Sequence, residues 1–218
     1  MKILLNRLID LSKAYPEKQA VIYKKEHLTY WELCARIAGM TKFLKDFGLM
    51  QRDRVCFSAV SKPEMIVTYM AIQACGAIAV FVDKNAAPEN IAYIYKEARA
   101  KMLLTDKPMK EYAENCCVLS LREYYQKAIT WSQDASIDLY AAIQSTRIFP
   151  KEDEISELLF TTGTTGKPKG VILSYKSVCN IFLNTIEGIG ITKEERLLLP
   201  LPLNHSFALR VLRAVLYQ

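Results

Sequence analysis

Leu158-Leu159-Phe160-Thr161-Thr162-Gly163-Thr164-Thr165-Gly166-Lys167-Pro168-Lys169-Gly170-Val171-Ile172-Leu173 decides the reading of this chain. Thr161 to Gly170 holds three glycines, four threonines and two lysines, and an apolar run stands on each side. Short apolar runs bounded by glycines read as buried strands. The chain therefore leaves a sheet, makes a loop of bare amides and hydroxyls with two cations, and returns to the sheet. Glycine lets a backbone approach an anion and aim successive N–H groups at it. Threonine hydroxyls donate to phosphate oxygens, and lysine adds positive charge. The composition is that of a phosphate-binding loop.

Two common phosphate loops are excluded by spacing. A Walker loop needs four residues between its glycines and then Lys-Ser or Lys-Thr opening a helix. Here Thr164 and Thr165 alone separate Gly163 from Gly166, and Pro168 follows Lys167. Proline biases Lys167 away from helical φ/ψ. A dinucleotide-fold Gly-x-Gly-x-x-Gly is absent as well, since Thr161 stands where its first glycine would be. The plain alternative is a flexible turn, but a hairpin needs about two to five residues and no lysine pair.

At these residues a family resemblance enters. Thr161 to Gly170 resembles, at every position, the Ser/Thr-Ser/Thr-Gly-Thr-Thr-Gly-x-Pro-Lys-Gly signature of the adenylate-forming superfamily, which includes acyl-CoA synthetases, luciferases and the adenylation domains of peptide synthetases. Leu28-Thr29-Tyr30-Trp31-Glu32-Leu33 is similar to that family's early Leu-Thr-Tyr-x-Glu-Leu segment. It also has its own physics, because Thr29 and Glu32 are spaced as a capping box. Leu33, Ile37, Met40, Phe43, Leu44 and Phe47 then mark one helical face, and Gly48 suits the stop. Ala71 to Asp83 resembles a helix–glycine–strand segment whose Gly76 reads as a helix cap with no catalytic role. Leu199-Pro200-Leu201-Pro202-Leu203-Asn204-His205-Ser206-Phe207-Ala208-Leu209 resembles the family's Leu-Pro-Leu-x-His-x-Phe-Gly segment, with Ala208 in place of the usual glycine.

The resemblance implies a two-step chemistry. A carboxylate attacks the α-phosphate of ATP and releases pyrophosphate, and a thiol, commonly that of coenzyme A, then displaces AMP. Thr161, Thr162, Gly163, Thr164, Thr165 and Gly166 would cradle the β- and γ-phosphates. Lys169 would hold the pyrophosphate or fix the loop, while Lys167 sits at the family's variable position. His205 would contact the carboxylate or acyl-adenylate, or gate the site, and an imidazole can donate, accept or carry charge near neutral pH. For a lone histidine the bland reading is a surface or structural residue. Preorganised donors would lower the barrier, with Mg2+ bridging phosphate oxygens. No resident metal ligand set is expected in this chain. The family's Gly-x-Thr-Glu, Arg-x-Gly-Asp and catalytic-lysine segments have no counterpart here, so the chain is read as an N-terminal fragment expected to turn over little alone. Two other readings stay open: an amino-acid adenylation domain that loads a carrier protein, and a truncated, non-catalytic binding module.

Composition sets further bounds. With 218 residues and 51% hydrophobic content, a sizeable core can be buried. The net charge of +6 has no clustered basic stripe, which argues against nucleic acid. Met70 to Val82 is the richest apolar run and falls short of the roughly 18 residues of a membrane span. The N-terminus reads as an amphipathic helix and not as a signal peptide. The six cysteines form no Cys-x-x-Cys pair, and with two histidines they argue against zinc. A reducing cytoplasm fits these thiols.

The coarse pattern alternates. Residues 3–14 read as helix, 19–24 as strand, 29–47 as helix, Arg54 to Val60 as strand, 63–75 as helix and Ile78 to Val82 as strand. A helix after Pro88, the strand Met102 to Thr105, a helix near 108–114 and the strand Cys117 to Leu119 follow. Trp131 to Asp153 reads as a connection. Then come strand 157–161, the loop, strand 170–174, helix 176–187, strand 196–200 and a terminal helix. Such alternation predicts an α/β fold of two βαβ-type lobes, about 1–130 and 154–218, with largely parallel sheets flanked by helices.

Overall fold

Each element begins or ends where local chemistry dictates. The computed structural model describes residues 4–58, 61–107, 109, 116–134, 136–146, 148, 150–161 and 167–218. α1 (Leu4–Ala14) turns five leucine and isoleucine side chains inward. β1 (Gln19–Tyr23) and β2 (Glu26–Thr29) form an antiparallel hairpin. Thr29 then closes the expected capping box: its Oγ1 accepts from the Glu32 amide at 3.1 Å, and Glu32 Oε2 accepts from the Thr29 amide at 2.8 Å. That opens α2 (Tyr30–Asp46). Gly48, at φ 96°, stops it, and the Gly48 and Leu49 amides return to the carbonyls of Lys45 and Leu44.

The alternating part follows. β3 (Arg54–Ser58), α3 (Pro63–Ala74), β4 (Ile78–Phe81), α4 (Pro88–Glu97), β5 (Met102–Thr105) and β6 (Val118–Leu119) come in chain order. Pro63 and Pro88 each begin a helix, where a missing N–H costs nothing. Gly76 ends α3 at φ 65° with the same double return of amides, the cap read from the sequence. α5 (Leu121–Ser132), α6 (Leu139–Thr146), β7 (Ile155–Thr161), β8 (Lys169–Ser174), α7 (Tyr175–Ile189) and α8 (Ser206–Tyr217) complete the chain.

Six strands pair in the order β6-β5-β3-β4-β7-β8. All neighbours run parallel except β7 and β8, which are antiparallel. The fold is thus α/β, with a mixed, mostly parallel sheet flanked by helices. Both faces of the interior strands β3, β4 and β5 are covered, while the edge strand β8 is largely exposed. Val55, Phe57, Ala79, Phe81, Met102 and Leu159 face α1, α2, α3, α5 and α8. Cys56, Ile78, Val80, Leu103 and Leu158 face α4. This strict alternation is the period-2 geometry of strands buried on two sides. A smaller cluster of Val178, Phe182 and Ala214 joins α7 to α8. Arg7 of α1 closes the end of α8 by donating from Nε to the Tyr217 carbonyl at 2.7 Å.

Several expectations shift. β7, assigned to a second lobe, hydrogen-bonds along β4 of the first, so β3 to β8 share one sheet and the β1–β2 hairpin stands apart from it. Residues 131–153 hold the end of α5 and all of α6, whose Leu139 and Ile143 enter the main core. Residues 196–200 form no strand. Pro200 and Pro202 remove ladder donors, and Leu198 stays 90% exposed. Most of the helix read near 108–114, and the strand end at Ala59 and Val60, lie outside the described residues.

Candidate nucleotide and acyl site

The antiparallel β7–β8 pair brings the two ends of the signature loop together. Its register runs from Glu157↔Leu173 to Thr161↔Lys169, so Thr161 and Lys169 are the last pair before the loop. Thr161 Oγ1 donates to the Lys169 carbonyl at 3.4 Å. Both residues are exposed, and among the described residues nothing engages the Lys169 ammonium, which can meet an anion. Lys167 is also exposed, with Nζ 5.8 Å from the centre of the Tyr93 ring. Thr162, Gly163, Thr164, Thr165 and Gly166 lie outside the described residues. β7 runs parallel to β3, β4 and β5, so the loop leaves the sheet at its carboxyl edge. In open α/β sheets that edge is where ligands bind.

His205 reaches the same edge by another route. The Leu203 amide donates to Ser61 Oγ at 2.9 Å, and Ser61 lies between β3 and α3. The Leu199–Asn204 segment is thereby fastened beside the carboxyl end of β3. His205 follows as the N-cap of α8, with extended backbone at φ −104° and ψ 143°. Its side chain makes no capping hydrogen bond and is exposed. An imidazole not engaged in capping its own helix is available to a ligand. Ala208, at the family's glycine position, is fully buried, so the added methyl is accommodated in the core.

Behind these two exposed groups lies a buried polar cluster that the sequence reading passed over. Glu157 of β7 and Arg213 of α8 form an ion pair at 2.6 Å, with both side chains almost fully enclosed. Tyr69 of α3 donates to the same carboxylate oxygen at 3.0 Å, and the guanidinium carbon of Arg213 lies 5.1 Å from the Tyr69 ring centre. Gln73 donates to the Ser156 carbonyl at 2.9 Å beside them. Burial pushes the Tyr69 hydroxyl well above its ordinary range, so it stays a donor. Burial, the largest single effect, would lower Arg213, but Glu157 and Tyr69 together outweigh it and hold the guanidinium charged. Glu157 Oε1, Arg213 Nε and Tyr175 Oη have no hydrogen-bond partner among the described residues. A cavity of about 30 Å³ lined by Tyr69, Tyr175 and Arg213 adjoins them. A signal was present: an acid within an apolar strand is almost never buried without a partner.

The arrangement offers anion binding at one edge and an imidazole near it. Among the described residues no group of three or more His, Cys, Asp or Glu side chains could hold a metal.

With this geometry in hand, comparison with known proteins defines the class. Residues 10–218 match the AMP-binding enzyme family, and the chain belongs to it. A 2-succinylbenzoate–CoA ligase of Bacillus velezensis is 28% identical over 218 residues, covering 97% of this chain and 42% of the ligase. Tyrocidine synthase 3 of Brevibacillus parabrevis is 28% identical over 199 residues, covering 91% of this chain and 3% of that protein. The chain thus spans less than half the length of these relatives. An o-succinylbenzoate coenzyme A synthetase from Bacillus subtilis, solved with AMP, shares the fold with a TM-score of 0.81 at 24% identity, covering 97% of this chain and 53% of that one. VinN shares it with a TM-score of 0.87 at 14% identity, covering 99% of this chain and 54% of that one.

Proposed function

We propose that the protein activates a carboxylic acid with ATP as an acyl-adenylate and passes the acyl group to a thiol, that of coenzyme A. The observation that carries this reading is the pairing of Thr161 with Lys169 at the carboxyl edge of the sheet, which gathers the ends of the signature loop and leaves the lysine exposed. The proposed task of Thr161 to Gly166 is to bind the β- and γ-phosphates, where charge grows as pyrophosphate departs. Lys169 supplies the cation there, and donors aimed at developing charge are effective because they need no reorganisation. His205 meets the carboxylate or the acyl-adenylate. ATP would bring Mg2+ as its phosphate counter-ion. The membership in the AMP-binding family and the likeness to a CoA ligase along nearly the whole chain support the assignment. The likeness to a peptide synthetase supports adenylation equally but points to a carrier-protein thiol, so the acceptor is part of the test.

The test is carboxylate-dependent ATP–pyrophosphate exchange by the full-length protein over a panel of acids, then acyl transfer to coenzyme A or to a carrier protein. Lys169→Ala should lower exchange at least tenfold. Because Lys169 is exposed, its stability should stay within about 0.5 kcal/mol of the parent. Exchange unchanged in Lys169→Ala and in Gly166→Ala would sink the assignment of the loop.

A further inference from the structure

The exposed loop end and the exposed histidine are joined from behind by one ion pair, and its position along the two elements is the informative fact. Glu157 precedes Thr161 by four residues on β7, which at strand rise is about 13 Å. Arg213 follows His205 by eight residues on α8, which at helix rise is about 12 Å. β7 runs toward the carboxyl edge of the sheet, and α8 starts beside that edge and runs back from it. The Glu157–Arg213 contact therefore closes a two-armed clasp whose free tips are Thr161 and His205. Tyr69 seats the joint from α3, the helix that follows Ser61, and Ser61 itself fastens the Leu203 amide.

We infer that Glu157 and Arg213 are positioning residues that fix the distance between Thr161, the last strand residue before the loop, and His205. This rests on the adenylation reading for its functional consequence, though not for its geometry. A buried ion pair is weak support for stability, because an apolar pair of similar volume often does as well. What an apolar pair lacks is direction. A 2.6 Å charged hydrogen bond, shared with Tyr69 and stacked on its ring, sets both the rotation of α8 and its height along β7.

The test uses the double variant Glu157→Leu/Arg213→Met, which leaves no orphan charge, and two readouts on the full-length protein. One is amide hydrogen exchange without ligand at residues 158–161, 169–172 and 203–206, with α2 as internal reference. The other is the split between KM for ATP and kcat in ATP–pyrophosphate exchange. The expected result is exchange at least tenfold faster at both tips with α2 unchanged, and a KM for ATP raised at least fivefold. Unchanged rates at both tips, or uniform acceleration that includes α2, overturn the inference by reducing the pair to ordinary packing. If the double variant does not fold, Glu157→Gln is isosteric and carries the test. Loosening of both tips supports the clasp, and loosening of one tip or neither overturns it. A parent protein that shows no carboxylate-dependent exchange would remove the adenylation reading and leave the hydrogen-exchange result standing.

Discussion

The ring of Phe160 on β7 lies against Gly170 on β8, its partner in the ladder, so closely that a Cβ built on the glycine would stand 3.1 Å from the ring. The signature glycine here gives space to a cross-strand aromatic. An aromatic laid over a strand glycine shields its bare backbone and pins register, and this pair is one step from the loop. Phe160→Ala should cost about 1 kcal/mol, the scale of an aromatic cross-strand pair. Gly170→Ala should cost less, because the ring need move only a few tenths of an ångström. The two changes should be non-additive in urea unfolding, since they share one contact. Strict additivity would mean that ring and glycine do not interact.

Gly39 and Ala128 show a second close approach, between α2 and α5. A Cβ on Gly39 would lie 2.9 Å from the Trp131 ring and 3.1 Å from the Ala128 carbonyl oxygen. Two effects oppose each other in Gly39→Ala. Helix propensity gains about 1 kcal/mol. Overpacking against a neighbouring helix costs about 1–3 kcal/mol. The carbonyl cannot swing aside as a side chain can, so the net expectation is destabilisation in chemical denaturation. Removing the ring in Gly39→Ala/Trp131→Ala should not rescue it, because the Ala128 backbone remains.

The contrast between Gly76 and Gly39 marks what was legible in the sequence. A glycine after an apolar helix and before an apolar strand announces a cap, because chain order alone supplies the context. Gly39 sits inside a helix, and its reason lies 89 residues downstream at Ala128, where only packing reveals it. The same division holds for the candidate site. Thr161, Lys169 and His205 stand in contiguous motifs and become candidates from the sequence, whereas Glu157 and Arg213 are matched across 56 residues. α5 was missed despite a visible signal, since Ser120 caps it by accepting from the Glu123 amide at 3.1 Å, the Ser-x-x-Glu spacing. The strand expected at 196–200 failed for the opposite reason: its leucines suit an apolar strand, but Pro200 at its end and Pro202 just beyond remove ladder donors.

The capping box at α2 gives a local test. Thr29→Ala removes the acceptor for the Glu32 amide and should cost about 1 kcal/mol. Glu32→Gln should cost less, because an amide oxygen can still accept from the Thr29 amide. Equal losses from both, measured by thermal unfolding, would show that charge at the helix N-terminus outweighs the hydrogen bonds.

Alkaline pH should unfold the protein sooner than neutral behaviour suggests, through buried thiols. Burial pushes Cys34 up to about 12 from the ordinary 9.0, and burial does the same to Cys75. Both act as donors, Cys34 Sγ to the Leu8 carbonyl at 3.5 Å and Cys75 Sγ to the Thr41 carbonyl at 3.8 Å. Below pH 9 the thiols are protonated in both states and stability does not depend on them. Above it the unfolded chain releases protons that the folded chain keeps. The unfolded state then binds fewer protons, and stability falls with rising pH across the window from 9 to about 12. At pH 10 the expected loss is about 1.4 kcal/mol per thiol. Tyr69 and Tyr175 are also raised by burial, but they start from 10.0 and add to the slope only at higher pH. Tyr30, Tyr95, Tyr124, Tyr125, Cys56, Cys116 and Cys179 are raised by burial too and act in the same direction, so comparison of urea midpoints with those of a double variant is what isolates Cys34 and Cys75. Cys34→Ala/Cys75→Ala should be less stable at pH 7, because two buried sulfurs are lost, yet flatter between pH 8 and 10. A parallel pair of curves would assign the alkaline slope to other groups.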